Sequence, residues 1–280
     1  MAEFVLTLSC ADAVGIVRAV AGFCADRGGN ILDSQQFGDV GTGRFFMRVH
    51  FTHDGPDELL RQDFAPVAEP FAMTWQLRDV AVRPRILIMV SKQDHCLNDL
   101  LYRYRIGALP AEIVAVVSNH PDAEPMARAA GLPFHHLPVT PETKPAQEAA
   151  LLELVQAEGV ELVVLARYMQ VLSDSLCTAL AGRAINIHHS FLPGFKGARP
   201  YHQAFDRGVK LIGATAHYVT AELDEGPIIE QEVARVDHGV TPERLAAVGR
   251  DLESQALARA VTWHVDQRVL LNGSKTVIFR

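Results

Sequence analysis

Four short segments rich in apolar residues recur between residues 86 and 188, and they constrain the fold of this 280-residue chain more than any other feature. A strand that is apolar along its length must be covered on both faces, as in a parallel sheet with helices on each side. The segments between them have the residue pattern of helices. The strands are 86–90, 113–117, 162–166 and 184–188, and the helices lie near 97–105, 122–130, 145–157 and 172–180. This alternation predicts a doubly wound, mostly parallel α/β sheet.

Further elements follow the alternating region. Residues 211–218 and 228–236 have the pattern of strands, and residues 242–265 have the pattern of one long helix. The segment 269–279 turns at Asn272-Gly273, a pair that is typical of tight hairpins. We therefore expect the chain to end in a two-stranded hairpin.

The first 80 residues follow a different order: strand, helix, strand, strand, helix, strand. This order in so short a segment predicts the ferredoxin-like βαββαβ fold. Asp12 is expected to cap the first helix, and Gly28-Gly29 to end it, because glycine tolerates the left-handed conformation. The predicted strands are 3–10, 30–37, 44–52 and 71–77, and the second helix is 57–67.

The two patterns meet at a short polar segment. Val82-Arg83-Pro84-Arg85 contains proline and two arginines and lies directly before the first continuous apolar run. We therefore predict a domain at residues 1–80, a linker at 81–85 and a second domain at 86–280.

The overall composition narrows the classes of function. The 26 basic and 33 acidic residues give a net charge of −7, which does not favour nucleic acid or an anionic membrane as a partner. No apolar run approaches the roughly 20 residues that span a bilayer. The cysteines are scattered without a Cys-x-x-Cys pair, so we expect reduced, buried thiols, no metal site and a cytoplasmic protein.

The most informative polar residues are Asn186, His188 and Asp224. Asn186 and His188 end a predicted parallel strand, where ligands collect in open α/β sheets, and their spacing of two places both side chains on one face. Asp224 lies in the loop after strand 211–218, so one site can hold all three. An amide polarises a carbonyl, an imidazolium stabilises an oxyanion and a carboxylate handles protons. The set therefore suits the transfer of a one-carbon acyl group without a metal or a covalent intermediate.

The residues around this set match a known family pattern. They are Asn186-Ile187-His188, Ser190, Leu192-Pro193, Gly197, His217 and Asp224 with Gly226-Pro227-Ile228. They resemble the folate-dependent formyltransferase family, which includes glycinamide ribonucleotide formyltransferase and methionyl-tRNA formyltransferase. The first 80 residues, with the turn Asp12-Ala13-Val14-Gly15, are similar to an ACT domain, a small regulatory module that often binds an amino acid. With the segments 188–193 and 197–202, the whole chain resembles the formyltetrahydrofolate deformylases within that family.

The resemblance implies an activity and a set of roles. The activity is the hydrolysis of 10-formyltetrahydrofolate to tetrahydrofolate and formate, which supplies formate to purine synthesis and balances the one-carbon pool. Asn186 hydrogen-bonds the formyl oxygen, His188 stabilises the oxyanion as an imidazolium, and Asp224 pairs with His188 and relays protons. No metal or cofactor is expected. The expected partners are the folate substrate, an amino-acid effector and further copies of the chain, as a dimer or tetramer.

Further residues are assigned by the same resemblance. The expected folate contacts are Arg167, Met169, Val171, Leu172, Glu222 and Gly226; residues expected to support the catalytic set are His189, Ser190 and His217; the expected effector contacts are Asp12, Gly15 and Asn30. Packing remains an alternative role for His189, and capping of a strand end remains one for His217. Lys92, Arg199 and Tyr201 receive no role.

The loop after the first strand of the second domain favours water as the nucleophile. Loops that cradle a phosphate are rich in glycine, whereas residues 91–97 contain none, and Asp94 would repel a phosphate. Lys92 and His95 still offer positive charge there. A formyltransferase that uses an amine acceptor therefore stays an alternative, as does a regulatory protein that binds folate without turnover.

Overall fold

The computed structural model describes residues 1–194 and 200–280, which group in two compact units. Unit 1 comprises Met1–Arg83, Asp266–Asn272 and Thr276–Arg280, and unit 2 comprises Pro84–Val265 and Gly273–Lys275. The end of the chain, which the sequence division places in the second domain, thus lies largely with unit 1.

Unit 1 is built on a four-stranded antiparallel sheet in the order β2-β3-β1-β4. Its elements are β1 (Ala2–Ala11), α1 (Ile16–Asp26), β2 (Asn30–Asp39), β3 (Arg44–His53), α2 (Asp57–Ala68) and β4 (Thr74–Asp79). Apolar residues from the strands and both helices, among them Leu6, Val20 and Phe64, form one buried core. The predicted ferredoxin-like order is therefore confirmed.

The end of the chain packs on a second apolar cluster of unit 1. Val277 and Phe279 cover Phe46 of β3. The buried Arg48 donates to the backbone oxygen of Asp266 at 3.2 Å. These contacts explain why the last residues group with unit 1: they shield apolar side chains of β3 that would otherwise face water.

Two local predictions for unit 1 are wrong. Gly15, with φ of 99°, is the N-cap of α1, and Asp12 lies before it with its backbone N–H bonded to Gly43. The strand predicted from Phe71 begins only at Thr74, because Glu69–Phe71 forms a 3₁₀ turn after α2. The helix cap is therefore Gly15 and not Asp12, and the 3₁₀ turn delays the start of the last strand.

Unit 2 contains a seven-stranded sheet in the order β11-β10-β9-β8-β5-β6-β7. Strands β5 to β9 run parallel, while β10 is antiparallel to β9 and β11. The elements of this region are β5 (Arg85–Val90), α3 (His95–Arg105), β6 (Glu112–Ser118), α4 (Glu124–Ala129), β7 (Phe134–His136), α5 (Lys144–Ala157), β8 (Leu162–Leu165), α6 (Asp174–Ala179), β9 (Ala184–His188), α7 (Pro200–Asp206), β10 (Leu211–Tyr218), β11 (Ile228–Arg235) and α8 (Pro242–Val265), followed by the hairpin strands β12 (Val269–Asn272) and β13 (Lys275–Ile278). The mostly parallel α/β fold is confirmed.

The topology brings three strand ends together. Strands β5, β8 and β9 are neighbours and parallel, so the segments that follow them leave the sheet at the same edge. Two short elements, β7 and α7, were not predicted, because three to seven residues are too few to establish a period. Among the described residues, no helix has the length and apolar character needed to span a membrane.

Candidate active site

Asn186 and His188 project from β9 into one pocket of about 200 Å³. In the antiparallel pairing with β10, Asn186 lies opposite His217 and His188 lies opposite Thr215. His188 is 5% exposed. The expectation that both side chains share a face of the strand is therefore confirmed.

His188 is paired on one side of its ring and free on the other. Its Nδ1 lies 3.2 Å from Oδ2 of Asp224, which reaches the pocket from the loop between β10 and β11. Its Nε2 is buried and has no hydrogen-bond partner in the described part of the chain. A buried ring nitrogen without a partner is costly, so this one is open to a hydrogen bond from outside the chain.

Asp224 is held as a carboxylate. Burial alone would raise its pKa, but the neighbouring imidazoles of His188 and His217 outweigh burial and lower the pKa well below its ordinary value. Its backbone has φ of 58°, a left-handed conformation that aspartate tolerates better than most residues. The turn thus directs a permanently ionised group at His188.

His217 lies next to both Asn186 and Asp224. Its Nδ1 lies 2.8 Å from the backbone oxygen of Tyr218, so Nδ1 carries the proton that makes this bond. In a neutral ring Nε2 is then an acceptor, and Nδ2 of Asn186 lies 3.3 Å away. Oδ1 of Asp224 is 3.7 Å from the same nitrogen. His217 therefore orients the amide of Asn186 and borders Asp224, which favours its supporting role over a strand cap.

Gly226 sets the approach of the loop that carries Asp224. A Cβ at this position would lie 1.7 Å from the backbone oxygen of Tyr218, so only glycine fits. Gly226 thus allows the close backbone contact between this loop and β10. Gly226 is buried and does not line the pocket.

The pocket is lined by four of the six residues that were expected to contact folate. They are Arg167, Met169, Val171 and Leu172, whereas Glu222 is exposed outside the lining. Val219, Thr220, Ala221 and Leu223 supply the loop side of the wall. The loop therefore faces the pocket through residues on either side of Glu222.

His189 and Ser190 differ in their positions. His189 lines the pocket, with its ring centre 5.1 Å from that of His188. Burial, and then the nearby charges of Arg167 and His188, lower the pKa of His189 to about 4, so its ring is neutral at pH 7. Ser190 donates to the backbone oxygen of Gly194 at 2.7 Å and fixes the turn after β9.

One polar residue near the site was missed. Glu253 of α8 is 1% exposed and lies near Arg167, His95 and Tyr201. The sequence feature that could have revealed it is a carboxylate on the apolar stripe of the long helix, four residues after Gly249. A charge at such a position is buried only when it is paired.

The side chains of His95, Cys96 and Glu253 are close enough to be considered as metal ligands. Glu253 already accepts hydrogen bonds from His95 and Tyr201 and faces the cation of Arg167. Burial raises the pKa of the Cys96 thiol far above its ordinary value, so the thiolate that binds metals is disfavoured. The donor set does not fit a metal ion.

The residues expected to contact an effector lie in unit 1. Asp12 follows β1, Gly15 caps α1 and Asn30 begins β2, and all three are exposed or partly exposed.

Lys92 is exposed after β5. Gly197 and Arg199 lie outside the described residues.

Comparison with known proteins gives the family. Residues 84–261 match the family model for formyl transferase, and residues 4–65 match that for the ACT domain. The formyltetrahydrofolate deformylase of Corynebacterium sp. (strain P-1) is 55% identical over 279 residues, which cover 99% of this chain and 98% of that protein. The crystal structure of the formyltetrahydrofolate deformylase of Burkholderia mallei has a TM-score of 0.97 and 56% identity, with full coverage of both chains.

A formyltransferase structure is similar over the second unit. Glycinamide ribonucleotide transformylase 1 of Symbiobacterium toebii is 35% identical, with a TM-score of 0.66 over 71% of this chain and 95% of that chain. The fold and the pocket thus define a formyl transferase domain preceded by an ACT domain. Within this class, the chain belongs to the formyltetrahydrofolate deformylase family. The resemblance seen in the sequence motifs is confirmed for the family and the fold.

Proposed function

We propose that this chain hydrolyses 10-formyltetrahydrofolate to tetrahydrofolate and formate at Asn186, His188 and Asp224. The observation that carries the proposal is the buried Nε2 of His188, which has no partner among the described residues while Nδ1 bonds Asp224. The relatives of this chain are named for the same reaction.

The formyl oxygen binds between two donors. One hydrogen of the Asn186 amide is directed to His217, and the second is available for the substrate. In the imidazolium form of His188, Nδ1 donates to Asp224 and Nε2 donates to the formyl oxygen. When water attacks the formyl carbon, these donors stabilise the oxyanion that forms. The loss of one such donor typically lowers the rate by about 10²–10³.

Asp224 handles the protons of the reaction. Its low pKa keeps it ionised, and its position beside His188 in the pocket lets the carboxylate accept a proton from the attacking water. The same proton then moves to N10 as the bond between N10 and the formyl carbon breaks. The oxygen of water ends in formate, and N10 leaves as the amine of tetrahydrofolate.

The pocket suits a flat heterocycle with polar edges. Met169 and Val171 are 55% and 58% exposed beside the buried Leu172, so they present apolar surface that a bound ring would cover. The segments 167–172 and 219–224 border the same pocket, and their backbone groups that make no bond within the chain would meet the polar edges of the ring.

The first test is formate release from 10-formyltetrahydrofolate by the purified chain, first without an amine and then with glycinamide ribonucleotide. Hydrolysis predicts formate without any amine, and near-complete loss of formate in Asn186→Ala. Consumption of folate only when the amine is present would support the formyltransferase alternative. Tight folate binding without turnover would support the regulatory alternative.

The ACT domain is proposed to bind an amino-acid effector through Asp12, Gly15 and Asn30, with glycine and methionine as the first candidates. Calorimetric titration of the full chain tests this directly. Binding that disappears in Asp12→Ala but persists in Asp26→Ala, an exposed aspartate of the same unit, would support the assignment. No heat and no change in rate with either amino acid would contradict it.

Three broader proposals accompany this function. The four cysteines are buried and free, as expected of a protein that works in the reducing cytoplasm. Formate released there would supply purine synthesis and balance the one-carbon pool. A dimer or tetramer, which light scattering would detect as a mass of two or four chains, is proposed for the assembled enzyme.

A further inference from the structure

Arg167 is an unusual residue at the wall of the pocket. Its backbone has φ of 65°, in the left-handed region that favours glycine, and its side chain is only 6% exposed. A buried, charged residue keeps such a conformation only where its surroundings fix it. The partners of its side chain therefore indicate what the position provides.

Those partners form a closed polar cluster. The guanidinium donates from Nη2 and Nε to Oε1 of Gln93, at 2.8 and 3.2 Å, and its Nε lies 3.3 Å from Oε2 of Glu253. Glu253 also accepts from His95 at 2.7 Å and from the hydroxyl of Tyr201 at 2.6 Å. We call these five residues, Gln93, His95, Arg167, Tyr201 and Glu253, the Glu253 cluster.

The cluster occupies a place where α/β proteins commonly bind a second ligand. His95 is the first residue of α3, which follows the carboxyl end of the interior strand β5. Such helix N-termini at strand ends are ready sites for anionic groups. Here the N-cap is Asp94, and its neighbours Gln93 and His95 hydrogen-bond the buried side chains of Arg167 and Glu253. The place that could admit a second substrate is filled by the protein itself.

Arg167 separates this cluster from the reaction centre. Of the five residues, Arg167 alone is among those that line the pocket with His188. His189 lies between the reaction centre and Tyr201. The centre of its ring is 5.1 Å from the ring centre of His188 and 6.4 Å from that of Tyr201. Gly249 of α8 makes room for Tyr201, because a Cβ there would lie 2.0 Å from the phenol ring. Side-chain contacts therefore connect Arg167 through Glu253 and Tyr201 to α8.

We propose that Arg167, held by the Glu253 cluster, closes the side of the reaction centre from which an amine would enter, and so determines that water is the nucleophile. This inference rests on the proposed function. Water adds its oxygen to the formyl carbon, the bond to N10 breaks, and formate and tetrahydrofolate form. An amine would instead form a new C–N bond, lose a proton that N10 receives, and leave as a formamide. The two reactions differ in the nucleophile, and an amine carries a substituent that needs room beside the formyl carbon.

Arg167→Gly tests the inference. Glycine readily adopts the φ of 65° at this position, and the substitution removes the side chain that closes this side of the pocket. Native chain and variant are each given 10-formyltetrahydrofolate and increasing glycinamide, and formate and N-formylglycinamide are measured by mass spectrometry. We expect formate as the main product of the native chain, with N-formylglycinamide only at a trace level. We expect the ratio of N-formylglycinamide to formate to rise at least tenfold in the variant. An unchanged ratio in the folded variant, or ready formylation of glycinamide by the native chain, would overturn the inference.

Two further variants control this experiment. Gln267→Gly makes the same kind of change at φ of 55° in unit 1, and its product ratio should equal that of the native chain. Arg167→Gly with Glu253→Gln removes both charges of the buried pair, and it replaces the single variant if thermal unfolding shows that the latter does not fold. If the native chain releases no formate at all, the proposed function fails, whatever the ratio in the variants.

Discussion

The imidazole of His188 and the carboxylate of Asp224 meet at 3.2 Å in a setting where both side chains are at most 10% exposed. One residue ends the parallel strand β9 and the other lies in the loop between β10 and β11. The remaining ring nitrogen of His188 is buried and has no hydrogen-bond partner among the described residues, and the low pKa of Asp224 keeps the carboxylate ionised throughout the neutral range.

Acid should destabilise the native chain through Asp224. Its pKa is lower in the folded chain than the roughly 3.9 of an unfolded aspartate, so the folded state is stabilised above that value and loses this stabilisation as the pH falls. We expect Asp224→Asn to reduce the loss of unfolding free energy between pH 6 and pH 3 by roughly 1–2 kcal/mol. Denaturant unfolding at several pH values measures this. Parallel acid dependence in the two proteins would contradict the pairing.

His217 is expected to act by positioning Asn186. In His217→Ala the amide loses a hydrogen bond worth about 1 kcal/mol, so kcat should fall roughly fivefold while KM for the folate stays within twofold. His217→Asn, which retains a polar side chain, should recover part of kcat. Steady-state formate release measures both. A rise in KM with constant kcat would instead indicate that His217 binds the substrate.

Gly226 should tolerate no side chain. In Gly226→Ala the new Cβ meets the backbone oxygen of Tyr218, which moves the loop that bears Asp224 and destabilises the fold by roughly 1–3 kcal/mol. Gly22, on helix α1, has nothing within 4 Å of the point where a Cβ would lie, so Gly22→Ala should stabilise the chain by about 0.5–1 kcal/mol. Thermal unfolding compares the two. Equal stability of the two variants would contradict the close contact at Gly226.

Much of this architecture could be predicted because it follows from residue periodicity. The apolar runs that became β5, β6, β8 and β9 can be buried only in a covered parallel sheet. The spacing of Asn186 and His188 likewise fixes their common face. Short elements such as β7 have no measurable period, and their existence depends on the neighbouring strand that they pair with.

The residues that escaped prediction depend on tertiary contacts. Nothing local shows that Glu253 meets His95 and Arg167, which are far from it in the sequence. The φ of 65° at Arg167 is equally invisible, because an arginine does not signal the left-handed conformation in the way that glycine does. The packing of Val277 and Phe279 on Phe46 also follows from a distant contact.

The most direct test of the account is a double-mutant cycle on kcat/KM for formate release, using His188→Ala, Asp224→Asn and the double variant. If His188 and Asp224 act as one unit, each single change should lower kcat/KM by about 10²–10⁴, and the double variant should be little worse than the more damaged single variant. Losses that multiply in the double variant would show that the two residues act independently, and would contradict the mechanism drawn from their contact.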